Sequence, residues 1–343
     1  MKTKKRLMLA TICCISLLTA CTKTNTAPHV DVDTSPITSS SNDLNGNDKI
    51  VIGSITMLNN GEWYGEVMAG VKTAAADLGV KLIDLNSNGS VENEEKYIHQ
   101  LIEDKVNAIV ICPITADHTG TLLLEAENAG IPAITWNTVV DADITAEVCV
   151  DSNALGGDMG TYLTEYVRTY NLSNLKIGLI TNQSYTIGVA RCDGFKESIK
   201  GIIKDGSATI VSELLAESTE ESTAAVTKML SEHPDLDIIW CWNQTSLLAC
   251  IDVVKSQGKS DLVVMGTDMS MDLAKDMQTD DVNLMAVTTQ LPYNMGYKAV
   301  VNAVQAAKKK PVDKTIVIPT FTYKKADADL ISQYIETHQA FAQ

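Results

Sequence analysis

The chain has 343 residues, 27 of them basic and 43 acidic, for a formal net charge of −16. That acidity speaks against a nucleic-acid partner and against extended contact with anionic lipid. The length is enough for two lobes, each with its own core.

Lys2, Lys4, Lys5 and Arg6 precede an apolar run from Leu7 to Leu18, and small residues follow. This is the pattern of an export signal over residues 1–20. The apolar run is too short to span a bilayer as a permanent helix. The junction Leu17-Leu18-Thr19-Ala20-Cys21 resembles the lipobox of bacterial lipoproteins. That resemblance implies cleavage before Cys21, acylation of the cysteine, and a protein anchored outside the cytoplasm at the cell membrane. Loss of residues 1–20 removes four positive charges and leaves the mature chain near −20. Residues 21–48 carry Cys21 and then a stretch rich in Thr, Ser, Asn and Asp. Such a stretch buries too little apolar surface to offset its ordering entropy, and it reads as a flexible tether.

From Lys49 the pattern changes. Apolar runs at 49–57, 80–85, 107–112 and 131–136 read as strands, with amphipathic helices over 62–78, 92–104 and 117–129 between them. The alternation returns after Asp151. Helices over 153–170, 188–203, 219–232, 245–256, 270–278 and 292–308 alternate with strands over 175–181, 208–215, 236–242, 262–268 and 283–290. A last helix is expected over about 325–341. Continuous apolar strands alternating with helices indicate parallel sheets covered on both faces. The count is too high for one ordinary sheet, so the predicted fold is α/β, with two doubly wound parallel-sheet lobes. Ligands gather at the carboxyl ends of such strands and between lobes.

Five cysteines remain beyond the signal and Cys21: Cys112, Cys149, Cys192, Cys241 and Cys250. An odd number cannot form a complete disulfide framework, and no Cys-x-x-Cys or Cys/His spacing suggests a metal. All five are expected to act as buried small hydrophobes.

Several segments resemble the periplasmic sugar-binding proteins of the type I fold, the ribose-binding relatives of ABC importers. The carriers are 58–71 (LNNGEWYGEVMAGV), 131–137 (IPAITWN), 150–157 (VDSNALGG), 190–195 (ARCDGF), 231–244 (SEHPDLDIIWCWNQ), 263–268 (VVMGTD) and 289–301 (TTQLPYNMGYKAV). They follow the family's order and spacing from about Lys49 to about Pro319. The resemblance implies two lobes joined by three hinge crossings, near 151–152, 290–291 and 319–320. Residues 49–151 with 291–319 would form the N-terminal lobe, and 152–290 with 320–343 the C-terminal lobe.

A polyhydroxylated ligand needs paired planar donors and acceptors for its hydroxyls, and aromatic walls for its C–H faces. By the resemblance Asn59, Asn60, Trp63 and Tyr64 line the site after the first strand, with one of the two asparagines capping the next helix. Trp136 and Asn137 follow the strand at 131–136. Arg191, Asn243, Asp268 and Gln290 come from the second half, with Gln290 at a crossing. Trp240, mid-strand, is expected in the core. The ribose-type pattern has an Asp-Arg pair where this chain has Asn137 and Thr138, and it has a stacking aromatic near Glu217. These departures argue against ribose itself while leaving a hydroxyl-binding shell.

The expected function is a monomeric solute-binding lipoprotein that delivers a sugar or sugar-like small molecule to an ABC permease. The alternative is a sensory receptor that presents such a ligand to a chemoreceptor or histidine kinase. No catalytic motif or cofactor-binding motif is present, so an enzyme is not expected. A repressor of the related core fold would require a helix-turn-helix before the first strand, where this chain has a signal and a polar tether.

Overall fold

A computed structural model describes residues 49–339. The export signal, Cys21, the tether and the last two residues of the helix expected at 325–341 lie outside them. The first sheet is built from β1 (Val51–Thr56), β2 (Lys81–Asn86), β3 (Ala108–Ile111), β4 (Ala133–Trp136), β5 (Ala146–Val150) and β11 (Thr315–Ile318). Its order is β11-β5-β4-β3-β1-β2, all parallel. The second sheet takes β6 (Leu175–Thr181), β7 (Ala208–Leu215), β8 (Ile238–Cys241), β9 (Val263–Thr267), β10 (Asn283–Thr289) and β12 (Phe321–Lys324). Its order is β12-β10-β9-β8-β6-β7, with β12 alone antiparallel. The two orders are the same in sequence of appearance, so the second half repeats the topology of the first.

Helices cover both faces of the first sheet. α1 (Glu62–Asp77) and α9 (Pro292–Ala307) pack on one side around Val67, Val71, Met295 and Val300. α2 (Val91–Glu103) and α3 (Ala116–Asn128) pack on the other around Ile98, Leu101 and Leu123. The second sheet is flanked by α4 (Ser152–Thr169), α5 (Thr186–Lys204), α6 (Thr219–Glu232), α7 (Gln244–Ser256) and α8 (Met271–Met277). Its core holds Trp240, which has no exposed surface and stacks on Phe195 at 4.4 Å. α10 (Ala328–His338) closes the described chain and sets Ile331 and Tyr334 into that same core.

The chain passes between the sheets three times: from β5 into α4, from β10 into α9, and from β11 into β12. At the second passage Leu291 sits in the left-handed region at φ 52° and caps α9, with Pro292 at the first helical turn. A leucine held there costs on the order of 1–3 kcal/mol, so the surrounding packing over-determines this turn. Close helix contact fixes the site from behind. A Cβ on Gly156 of α4 would stand 1.9 Å from the Arg191 carbonyl oxygen, so only glycine lets α4 seat the backbone that carries Arg191.

Four of the five cysteines are buried and all five are free, but Cys149 is only half-buried. It lies in β5, where burial alternates with partial exposure on the side next to the crossings, so the apolar run around it does not mark a fully covered strand.

Candidate ligand-binding site

The polar centre comes from the second sheet. Asp268 follows β9 in the left-handed conformation, φ 69°, which Asp and Asn tolerate better than other side chains. Arg191, in the second turn of α5, is 4% exposed. Its Nη1 donates to Asp268 Oδ2 at 2.7 Å, to the Trp242 carbonyl at 3.2 Å and to Thr267 Oγ1 at 3.5 Å. Gln290, directly after β10, donates from Nε2 to Asp268 Oδ1 at 2.6 Å. Asp268 thereby joins the α5 guanidinium to the residue at the second passage between sheets. Arg191 Nε is buried with no partner. A guanidinium paired with a carboxylate that also accepts from a carboxamide presents the donor and acceptor types that can bind hydroxyls.

Asn243 also reaches this end of the sheet. It caps α7, accepting from Ser246 N at 2.9 Å and from Ser246 Oγ at 2.7 Å. Its Oδ1 is committed to the helix, so a ligand would meet its NH2 group.

The first sheet contributes aromatic surface. Trp63 and Tyr64, in the first turn of α1, meet edge to face at 5.0 Å, and Trp136 at the end of β4 lies 6.1 Å from Trp63 and 6.4 Å from Tyr64. Trp136 is fully buried, so it backs the other two rings and presents no open face. The indole N–H groups of Trp63 and Trp136 are buried without partners. Burial raises the Tyr64 hydroxyl above its ordinary pKa and pushes the neighbouring Cys112 thiol up to about 12, so both groups stay neutral.

Asn137 follows β4 at φ 66° and is exposed. β4 and β9 hold equivalent places in the two sheets, so Asn137 and Asp268 occupy matching left-handed turns. Asn59 and Asn60 are exposed in the turn before α1. Neither caps that helix: its N-cap is Gly61 at φ 88°, with no side-chain bond, because a glycine turn leaves the asparagines outside the first helical turn.

One aromatic was not singled out from the sequence. Tyr185 caps the start of α5, is 52% exposed, and stacks on Trp242 at 6.4 Å and 25°. Asn182 holds this turn, its Oδ1 accepting from Ser184 N and Tyr185 N. Trp242 is itself anchored by Nε1 donating to the Ala216 carbonyl at 3.0 Å. Tyr185 sits after β6 as Tyr64 sits after β1, so the repeated topology was the signal that could have found it.

The two halves also touch through two acids on α1, the half-buried Glu62 and the buried Glu66. Glu62 accepts from Met271 N, the first residue of α8, at 2.8 Å and 3.0 Å. Tyr334 of α10 donates to Glu66 at 3.1 Å, and His338 Nε2 stands 3.5 Å from Glu66 Oε2. The ring of His338 stacks on Tyr334 at 3.8 Å. Among the described residues no group of three or more His, Cys, Asp or Glu side chains is placed to hold a metal ion, and no helix is long and apolar enough to cross a membrane.

Two sheets repeating one topology, with polar and aromatic side chains at their carboxyl ends, define a two-lobed α/β binding fold. Residues 52–311 match the periplasmic binding protein domain family, and the chain belongs to it. It is 25% identical over 299 residues to the ABC transporter periplasmic-binding protein YphF of Escherichia coli, covering 84% of this chain and 90% of that one. It is 25% identical over 276 residues to the ribose import binding protein RbsB of the same organism, covering 77% and 88%. Among solved structures, a periplasmic solute-binding protein of Actinobacillus succinogenes with bound D-allose superposes with a TM-score of 0.71 at 19% identity, covering 82% of this chain and 99% of that one.

Proposed function

We propose that this protein is the extracytoplasmic solute-binding component of an ABC importer and that it carries a carbohydrate. The observation that carries this reading is the Arg191–Asp268–Gln290 cluster on one lobe, with the Trp63–Tyr64 wall on the other. Both stand at carboxyl strand ends, where such folds hold ligands. Charged and carboxamide groups fit sugar hydroxyls, and aromatic rings fit the C–H faces. The name of the ribose import relative supports the same class of cargo, and that of YphF supports the ABC-transporter role. In this reading residues 49–151 with 291–319 form one lobe and 152–290 with 320–343 the other, and hydroxyls bridging the two sets of groups favour a closed form that docks on the permease.

Trp63 is the natural reporter. Binding of a pentose or hexose should perturb tryptophan fluorescence, and Trp63→Ala should cost roughly 1–3 kcal/mol of affinity, the scale of losing one buried aromatic contact. Calorimetric titration of both proteins checks this, and unchanged affinity removes Trp63 from the site.

The lipid anchor is a second part of the proposal, supported by the Leu-Thr-Ala-Cys junction. Cys21→Ser should abolish acylation, leaving the chain unprocessed or released. Detergent-phase partitioning and the mass of the mature protein give the answer. A Ser variant that still partitions with detergent at an unchanged mature mass excludes the anchor.

A further inference from the structure

A cavity of about 440 Å³ opens on the first lobe, within the size range of small-molecule sites. It lies against the first half of α1 and the carboxyl ends of β1 and β2, and it is lined by Thr56, Asn59, Tyr64, Lys72, Asp84 and Asn86, among others. No member of the Arg191–Asp268–Gln290 cluster lines it. Asn59 and Tyr64 do, and both belong to the proposed carbohydrate site, so the cavity is continuous with that site rather than remote from it.

Its polar groups are underused. Asn86 Nδ2 is buried without a partner, while Asn86 Oδ1 accepts from Asn88 N at 2.7 Å and so fixes the amide. A buried unpaired donor costs about 1–3 kcal/mol, which a ligand acceptor would recover. Thr56 Oγ1 has only the thioether sulfur of Met68, at 2.8 Å, a weak acceptor. Lys72 and Asp84 neutralise each other at 3.4 Å. The lining therefore offers hydrogen bonds without net charge, which suits a neutral polyhydroxylated group.

β11 runs directly into β12, so those two edge strands adjoin, and β2 and β7 form the opposite edges of their sheets. The cavity, against β1 and β2, thus lies toward the sheet edge opposite that crossing. At the equivalent end of the second sheet, Tyr185 and Ile187 after β6 and Leu215 at the end of β7 are 52%, 54% and 58% exposed. Large apolar side chains left open at that place fit the C–H face of a sugar ring whose hydroxyls enter the cavity.

We infer that the cargo is a disaccharide or glycoside, with one unit in the central clamp and the second in this cavity. The inference rests on the carbohydrate reading given above. Calorimetric titration of the purified protein with D-ribose, D-glucose and D-galactose, and with cellobiose, lactose and melibiose, tests it. At least one disaccharide should bind about tenfold or more tightly than its component monosaccharides. Ala69 also lines the cavity; Ala69→Leu, which fills it from α1, and Asn86→Ala, which removes the unpaired donor, should each erase that advantage and leave monosaccharide affinity within about twofold. Monosaccharides binding as tightly as every disaccharide overturns the second unit while leaving the carbohydrate reading in place. So does an equal loss for both ligand classes in the two variants. A protein that binds none of the six sugars overturns this inference and leaves the carbohydrate reading to the wider thermal-unfolding panel.

Discussion

Asp268→Ala is expected to lower both ligand affinity and folding stability, by about 2–4 kcal/mol and about 3–5 kcal/mol respectively. Arg191 is almost fully buried, and Asp268 is its ion-pair partner at 2.7 Å. Removing the carboxylate leaves a guanidinium in a low-dielectric site with only the Trp242 carbonyl and Thr267 hydroxyl as acceptors. Gln290 loses its acceptor in the same step, so the link to the second passage between sheets is cut. The affinity loss should appear mainly as faster dissociation. Asp268→Asn separates the two effects. It keeps an acceptor for Gln290, so it should lose less stability than the alanine variant while still binding weakly. Chemical denaturation and calorimetric titration of both variants give the comparison. Wild-type stability in Asp268→Ala would mean that the pair does not hold the second lobe together.

Glu66→Leu is the second large effect, at about 3 kcal/mol, the low end of the cost of breaking a buried ionic contact. Glu66 on α1 is the acceptor shared by Tyr334 and His338 of α10, and these groups meet across the two lobes. The contact is also pH-dependent. Burial alone would lower the His338 pKa, but the hydrogen bond to Glu66 and the charges of Glu66 and Glu62 outweigh it, so the imidazole is raised above its ordinary 6.5. A raised folded-state pKa means that this stabilisation is fully present below pH 6.5 and is lost as pH rises through the folded value. Glu62, raised chiefly by burial, acts in the same direction from a lower window that begins at the ordinary carboxyl range. Melting temperature should therefore fall above pH 6.5 in the wild type, and His338→Gln should flatten that slope. Parallel curves for the two proteins would exclude His338 as the titrating group.

Elements are legible in the sequence where one local pattern determines one structural outcome. Runs such as residues 177–180 carry no polar side chain because both faces of β6 are covered there. β5, β11 and β12 were not resolved from sequence. They are four or five residues long, lie on the crossing side of their sheets, and are only partly covered, as in Thr315–Ile318, where Ile318 alone is buried. Such short half-open strands carry too few apolar positions to stand out from loop sequence. At the candidate site, Arg191, Asp268 and Gln290 were legible through the family resemblance, and the structure brings them into one cluster. Tyr185 was not, because an aromatic among Gln, Ser and Thr in a helix-start turn has no local pattern. The contact of Glu62 and Glu66 with Tyr334 spans more than 260 residues of sequence. Nothing in the helical periodicity of α1 or α10 announces that pairing.

Thermal unfolding of the purified protein against pentoses, hexoses, disaccharides, polyols and nucleosides tests the carbohydrate-binding role most directly. A true ligand at about 100 times its dissociation constant should stabilise the fold by about 2.7 kcal/mol. The predicted result is stabilisation of that size by at least one carbohydrate, lost in Asp268→Asn measured against its own unliganded baseline. Stabilisation by none of them, or stabilisation that survives unchanged in Asp268→Asn, would contradict a carbohydrate site built on the Arg191–Asp268–Gln290 cluster.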